Sequence, residues 1–437
     1  MSPSSRLSGT FKHFLAILLN FCFETMEKQE PVTPAGRLFL QEEMNAVINC
    51  VIGLKHPIDE YTIKTEMKNS IMLQHARFRS ILVKDKEGRE YWETITDLNI
   101  DQHIFLVKDI EKIYGQRDDC KNDDTMLVNS YLADLSVSTP LDIHKPLWEL
   151  HLLKEQKCAI LRVHQTTPKR TSLMLKEIKK SLTVLSMAFL TDFISSILNL
   201  AVAAFLGQSS TPDPPLNFVS ASFTNKLQEG LRITGLGMVN LRKQPGLQDM
   251  SELVKNKPLS SWWGNKFGFI LLPIYHHKNV DNDPLQYVRR AKAMLDKKKL
   301  SLEAHFSYTF GNLVMSLLGP KAAMLLNYRV VCNTSFTISN VVGPKEEIMF
   351  GGNPVTSFRV TSTSLPHALT MHMLSYAGNA ELQILVAKDI IPDPQFLAKC
   401  FEDALLEMKD ISFWQEDKTT SGMSPPSKLT ALLDIPP

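Results

Sequence analysis

The stretch PLWELHLLKEQKCAILRVHQTTPKR, residues 146–170, contains the clearest structural pattern in the chain. Its apolar run, Cys158 to Val163, lies between a charged turn and a proline-containing segment, which is typical of a buried strand. His164 and Gln165 follow the run directly. We therefore expect His164 on a loop just beyond a strand end, where a rigid scaffold can present a base to a substrate.

The same stretch resembles the plant type of the wax ester synthase/diacylglycerol acyltransferase family. The resemblance rests on Pro-Leu-Trp, then a strand, then Arg-x-His. The family carries His-His-x-x-x-Asp-Gly here, and its second histidine is the general base. In this chain His164 matches the first histidine, Gln165 occupies the base position, and Lys169-Arg170 replaces Asp-Gly. The resemblance implies His164 and Gln165 as the catalytic positions, with the signature altered at the second.

Further segments carry the resemblance across residues 30–411. They are Glu30-Pro31-Val32-Thr33-Pro34, His75-Ala76-Arg77-Phe78-Arg79-Ser80, Trp262-Trp263-Gly264-Asn265 and Ser339-Asn340-Val341-Val342-Gly343-Pro344. The resemblance implies that the substrate contacts lie at Pro146, Leu147, Trp148, Asn340 and Gly343. We interpret His75 as a helix C-terminal cap. The family also has several tens of residues, including an Asn-Asp motif, that are missing between 217 and 238.

These departures leave three interpretations open: an active O-acyltransferase, a catalytically impaired homologue that binds lipid or a partner, and a mis-spliced product of an active gene. Glutamine cannot take a proton near neutral pH, and general base catalysis contributes about 100- to 10,000-fold. A Gln165→His change alone is not expected to restore activity, because the loop also lacks its Asp-Gly pair.

Composition excludes several other classes of protein. The chain has 437 residues, of which 44% are hydrophobic and 22% charged, and its net charge of +2 predicts no nucleic-acid partner. Its six cysteines are scattered, which favours buried thiols in a reducing compartment. The sequence contains no G-x-S-x-G, P-loop or G-x-G-x-x-G motif and no metal-ligand spacing, so no cofactor or metal is expected.

Two apolar segments suggest contact with lipid. Residues 11–23 are consistent with a signal-peptide core, but no small-residue cleavage site follows them, so an interfacial extension or a gene start at Met26 is the alternative. Residues 181–206 contain one charge, Asp192, which costs roughly 3 kcal/mol at the centre of a bilayer. A spanning helix, an interfacial segment and a buried core helix all remain open for this second segment.

The order of elements predicts a mixed α/β fold, and the resemblance implies two chloramphenicol-acetyltransferase-like domains with mixed sheets. We expect an apolar extension at 1–29, a first domain at 30–206 and a linker at 207–216. The second domain then occupies 217–414 and a disordered tail 415–437. The pattern predicts strands at 47–54, 81–84, 90–94, 158–163, 269–273, 333–343 and 382–387, and helices at 58–72, 126–135, 283–299 and 396–408.

The implied activity is transfer of a long-chain acyl group from acyl-CoA, as co-substrate, to a fatty alcohol or diacylglycerol. Membrane lipid is the further implied partner. The implied location is the endoplasmic reticulum membrane, with the plasma membrane as the alternative and the catalytic domains on the cytoplasmic side.

Overall fold

The computed structural model describes residues 29–115, 123–138, 140–166, 232–241, 266–275, 285–363 and 367–421. The apolar segments 11–23 and 181–206, the predicted linker 207–216 and the tail beyond Ser421 lie outside the described residues, as does most of the predicted segment 217–238.

Fourteen strands and eight helices form the described structure. The elements before residue 167 are β1 (Gln29–Pro31), α1 (Pro34–Phe39), β2 (Val47–Leu54), α2 (Glu60–Asn69), α3 (Ile71–Gln74), β3 (Ser80–Lys84), β4 (Glu90–Thr94), β5 (Ile104–Val107), α4 (Ile110–Tyr114), α5 (Asp124–Ser138), β6 (Trp148–Leu153) and β7 (Cys158–His164). Those after residue 231 are β8 (Arg232–Asn240), β9 (Phe267–Tyr275), α6 (Leu285–Leu300), α7 (Glu303–Cys332), β10 (Phe336–Val342), β11 (Met349–Phe350), β12 (Asn353–Ser362), β13 (Leu369–Tyr376), β14 (Asn379–Val386) and α8 (Pro394–Ser421).

The strands form three sheets, two of them mixed. The first has the order β11-β12-β2-β7-β6-β5, with β5 and β6 parallel and its other neighbours antiparallel. The second has the order β14-β13-β10-β8-β9 and combines parallel pairs at β10 with an antiparallel β13–β14 pair. A small sheet has the order β1-β4-β3. The predicted α/β class with mixed sheets is confirmed.

The six-stranded sheet is apolar on both faces around β7. Ala159, Leu161 and Val163 belong to a core cluster on one face. Cys158 and Ile160 belong to a second cluster that includes side chains of α5. Because successive side chains of a strand point to opposite faces, a continuous apolar run such as Cys158–Val163 requires cover on both sides. Side chains of α2 and α3 belong to the first cluster, and side chains of α5 belong to the second, so both faces are covered.

A buried polar network interrupts the α5 face of this sheet. Arg162 Nη1 donates to Glu149 Oε2 at 2.8 Å, and its Nη2 donates to the carbonyl of Leu135 at 3.2 Å. His151 Nε2 lies 3.3 Å from the same carboxylate. Burial raises the pKa of Glu149, but the His151 hydrogen bond and the Arg162 charge outweigh burial and hold the pKa below its usual value. Glu149 is therefore a buried anion whose principal counter-charge is Arg162.

Most predicted elements have the expected positions, and β2 has the predicted bounds. The helix predicted at 58–72 is wrong as a single element, because Ser70 has extended backbone angles and its hydroxyl caps α3 through the Leu73 amide. His164 is the last residue of β7 and does not lie on the loop. Helix α8 continues to Ser421, past the expected start of the disordered tail at Gln415.

Helix α7 is the large element that the sequence pattern did not predict. It covers 30 residues and bends at Gly319, whose φ is 79°. Pro320 follows the bend, and an interior proline removes a backbone hydrogen bond, which accounts for the kink.

The chain divides into two compact units. One contains residues 1–187, 235–271 and 302–386, and the other contains 188–234, 272–301 and 387–437. Within the second unit, α6 and α8 contact each other. The division into domains at 30–206 and 217–414 stays a prediction.

We expect Glu149→Gln to lower the free energy of unfolding by about 3 kcal/mol, because it leaves the buried Arg162 charge without its counter-ion. Urea unfolding of the two proteins measures the loss. The control is Lys64→Met, which breaks the solvent-exposed pair of Lys64 with Asp101 and should cost far less. Equal losses in the two variants would contradict a buried ion pair.

We also expect the stability to fall between pH 6.5 and pH 4, in part through His367. Burial lowers the pKa of His367 to about 4, so the folded state holds the neutral imidazole while the unfolded chain takes up a proton below pH 6.5. The contribution is complete above pH 6.5 and decreases by up to about 1.4 kcal/mol per pH unit below it. Unfolding at pH 7 and pH 5 should show a smaller difference in His367→Gln than in the parent, and an identical difference would refute the assignment.

Candidate active site

Three strands of the six-stranded sheet bring their ends together beside His164. His164, the last residue of β7, pairs with Val47, the first residue of β2. The amide of Thr363, which follows β12, donates to the carbonyl of Val47 at 3.0 Å. Segments from three distant parts of the sequence therefore meet at the same end of these strands.

His164 is held by hydrogen bonds at both ring nitrogens. Nε2 lies 2.8 Å from Asn45 Oδ1, and Nδ1 lies 2.7 Å from Thr166 Oγ1. The backbone amide of Thr166 also donates to Nδ1, at 3.2 Å. Because an amide N–H can only donate, Nδ1 carries the lone pair and Nε2 carries the proton.

The imidazole is neutral over the physiological range. Its side chain is buried, and burial lowers the pKa of His164 to about 4. The lone pair that a general base would use is already engaged by Thr166. The arrangement therefore fits a side chain that fixes the loop after β7.

Gln165 is hydrogen-bonded through its backbone to a residue of an apolar cluster. Its backbone amide donates to the carbonyl of Ala46 at 2.7 Å, and the residue is buried. Ala46 clusters with Phe39 and Met44. Two side chains from the later half of the chain pack on this cluster, Phe267 of β9 and Met324 of α7. The sequence places a buried carboxamide here, where the implied family has an imidazole.

Helix α1 lies at the same end of the strands. Thr33 caps it by accepting a hydrogen bond from the Gly36 amide at 3.1 Å, and Pro34 is its first residue. A Cβ on Gly36 would lie 2.9 Å from Val32 Cγ1 and 3.9 Å from the Thr166 methyl group, so a side chain here would displace its neighbours. The Glu-Pro-Val-Thr-Pro segment is thus placed beside the loop that contains Gln165.

A second ion pair anchors this segment. Arg77 Nε donates to Glu30 Oε2 at 2.9 Å, and Arg77 Nη2 donates to Glu30 Oε1 at 2.6 Å. The guanidinium also lies over the Trp92 ring, 4.9 Å from its centroid. His75 is the C-cap of α3, as predicted, and its Nδ1 accepts from the Arg77 amide at 3.1 Å.

Pro146, Leu147 and Trp148 lie next to His164 but are buried. The Leu147 carbonyl accepts from the His164 amide at 3.0 Å. Trp148 is 0% exposed, and its indole donates to the Phe78 carbonyl at 2.9 Å. These contacts hold the strand ends in register, and substrate contact at the three residues stays a prediction.

Asn340 and Gly343 belong to the other large sheet. Asn340 lies in β10 opposite Met373 of β13. Gly343 donates its amide to the Ser375 carbonyl at 2.8 Å, and a Cβ at Gly343 would lie 2.3 Å from that oxygen. The close approach of two backbones accounts for the glycine, and substrate contact at either residue is likewise still a prediction.

Asn45 and Thr166 are the hydrogen-bond partners of His164 that sequence reasoning missed. Thr166 lies two residues after His164, in the stretch that follows β7. A hydroxyl so close in the sequence to the imidazole was a weak signal that the two side chains bond to each other. Asn45 is 119 residues from His164 and carries no recognisable motif. Within the described residues, no group of three or more His, Cys, Asp or Glu side chains is placed to hold a metal ion.

Residues 263–409 match the family profile of the WS/DGAT C-terminal domain. Two relatives from Arabidopsis thaliana are wax ester synthase/diacylglycerol acyltransferases 5 and 11. Number 5 is 29% identical and aligns with 88% of this chain and 94% of its own length. Number 11 is 28% identical and aligns with 88% of this chain and 96% of its own length. The first alignment covers 489 positions, more than the 437 residues of this chain, so the relative contains internal segments that this chain lacks.

Comparison with solved structures also matches a wax ester synthase/diacylglycerol acyltransferase from Marinobacter aquaeolei VT8. It is 15% identical, with a TM-score of 0.48, and the match covers 90% of this chain and 100% of that one. A starter condensation domain of rhizomide synthetase is 12% identical, with a TM-score of 0.46, over 87% and 96% of the two chains. The profile match, the Arabidopsis relatives and the motifs around His164 make the chain similar to wax ester synthase/diacylglycerol acyltransferases over most of its length.

Proposed function

We propose that the protein is an O-acyltransferase that moves a long-chain acyl group from acyl-CoA to a fatty alcohol or to diacylglycerol. The observation that carries the proposal is the strand end at His164 and Gln165, which occupies the family's motif position in a chain related along most of its length to the Arabidopsis enzymes. The buried apolar cluster of Phe39, Met44 and Ala46 adjoins the loop that carries Gln165.

In this reaction the alcohol oxygen attacks the thioester carbonyl, the carbon–sulfur bond breaks, and CoA leaves as a thiol after taking up the hydroxyl proton. His164 acts as a positioning residue, since its two nitrogens hold Asn45 and Thr166. The Gln165 carboxamide hydrogen-bonds the incoming hydroxyl and orients it without accepting its proton. Such a site retains the benefit of orientation but lacks the factor of about 100 to 10,000 that a general base supplies.

The site of action is the endoplasmic reticulum membrane, with the catalytic part of the chain on the cytoplasmic side and the plasma membrane as the alternative. Both substrates are lipids, and the apolar segment 181–206 supports membrane attachment.

We expect microsomes that contain this protein to form ester from radiolabelled palmitoyl-CoA and hexadecanol or diacylglycerol. The rate should be about 100- to 10,000-fold below that of a relative with the intact His-His motif, because Gln165 cannot take a proton. Microsomes from the same host without the protein give the background. Absence of ester above background, from folded and membrane-bound protein, would refute the proposal and favour an inactive homologue that binds lipid or a partner.

The variant His164→Ala in the same assay tests the positioning role. Losing its buried hydrogen bonds should lower the free energy of unfolding by about 2 kcal/mol and abolish turnover at the same time. Loss of turnover with unchanged stability would instead identify His164 as the base.

We expect Gln165→His alone to leave the rate within about tenfold of the parent, because a base also needs the rest of the loop to orient it. The matched comparison is the triple variant Gln165→His/Lys169→Asp/Arg170→Gly, which should gain about 100-fold or more. Both are measured as initial rates of ester formation. A single variant as fast as the triple would show that the Asp-Gly pair is unnecessary.

A further inference from the structure

Helix α7 presents a row of large apolar side chains to solvent. We call Leu302, Phe306, Phe310, Leu313 and Leu317 the outer stripe; their exposed fractions are 77%, 67%, 42%, 52% and 72%. Spacings of three and four residues place them on one side of the helix, along about 22 Å of its axis. The Phe306 and Phe310 rings stack at 5.6 Å. Exposed apolar rows of this size mark a surface that contacts a membrane or another protein.

The inner side of α7 is held by protein. Ser307 Oγ accepts from the Phe269 amide of β9 at 2.8 Å, and Glu303 Oε1 accepts from the Leu271 amide at 2.7 Å. Ala304 and Met315 are buried on this side. Among the helices in the described part of the chain, α7 has the length and apolar composition needed to cross a membrane. Its attachment to β9 occupies one side of the helix, so α7 can touch a bilayer along its outer side but does not cross it.

Glu303 is the single acidic residue of α7, and its carboxylate accepts from the Leu271 amide. No Asp or Glu occurs between Glu303 and Glu346 in the sequence. Lys321 and Arg329 of α7 are exposed. Helices that lie in the surface of a membrane combine Phe and Leu on one side with Lys or Arg beside them, because anionic headgroups attract the cations. An apolar row on a helix whose exposed charged side chains past the kink are cations suits an anionic lipid surface.

We infer that the outer stripe of α7 is a docking surface for an anionic bilayer, with the helix lying parallel to the membrane plane. The apolar side chains enter the boundary between headgroups and acyl chains, about 5–10 Å deep. Past the kink, Leu325, Leu326 and Val330 are also exposed and extend the apolar side chains along the same helix. The inference rests on the proposed function only in taking lipid as the partner.

Docking here would bring the candidate site close to the lipid. Met324 of α7 packs against the cluster of Phe39, Met44 and Ala46. The Ala46 carbonyl accepts the Gln165 amide. Helix α7 therefore connects the proposed membrane surface to the cluster that contacts the Gln165 loop.

The test places a fluorescent nitrobenzoxadiazole label on Leu313→Cys in the full chain. Cys22, Cys120 and Cys332 are first changed to serine, whereas Cys50, Cys158 and Cys400 are buried and can remain. The control carries the label at Val137→Cys on α5, where the parent side chain is 89% exposed. Both proteins are mixed with phosphatidylcholine vesicles that contain phosphatidylglycerol.

On vesicles, the label at 313 should shift to shorter wavelength and be quenched by nitroxide on the lipid acyl chains, while the label at 137 stays in water. The unlabelled variant Phe306→Ser/Phe310→Ser should bind these vesicles at least about tenfold more weakly, since each ring loses its burial. A label at 313 that remains in water on bound protein would overturn the inference. So would a label already shielded before vesicles are added, which would mean that protein covers the stripe, or an equal response at 137. None of these measurements requires turnover, so a failure of the proposed acyl transfer remains distinguishable.

Discussion

Strand β2 must satisfy backbone hydrogen bonds along both of its edges, and the rest of the structure depends on how it does so. Its partners are β7, more than 100 residues away, and β12, near the end of the chain. A buried amide or carbonyl without a partner costs about as much as a lost hydrogen bond, so neither partner is dispensable. The six-stranded sheet, and the meeting of strand ends beside His164, exist because β2 lies between these two strands.

The position of His164 follows from that pairing. Its register with Val47 places the imidazole beside Asn45, and the turn after β7 returns the Thr166 amide and hydroxyl to the other nitrogen. A histidine that is bonded at both nitrogens and kept neutral by burial stabilises one loop conformation. The same bonds withhold its lone pair from a substrate. An imidazole that fixes a loop through both nitrogens cannot also offer its lone pair to a substrate. In this protein His164 fixes the loop.

Local patterns predicted much of the fold because they report local physics. The apolar runs of β2 and β7 and the pairing of β3 with β4 each depend on a few neighbouring residues. The apolar run also located the strand end that carries the candidate site. The bonding of His164 to Asn45 could not be predicted, because it joins segments 119 residues apart through the register of the sheet. Helix α7 escaped prediction for a different reason, since apolar side chains cover its outer side as well as its inner side and weaken the helical periodicity.

The pairing of Val47 with Thr363 spans 316 positions of the chain. During synthesis on the ribosome, β2 emerges early, whereas its partner β12 is made only after most of the chain has been synthesised. The open edge of β2 is a template for association with other chains throughout that interval. Contacts of such long range also make closure of the sheet slow. Pairing with β7 satisfies one side of β2 early, and the hydrogen-bonding groups on its other side stay open until β12 has been synthesised.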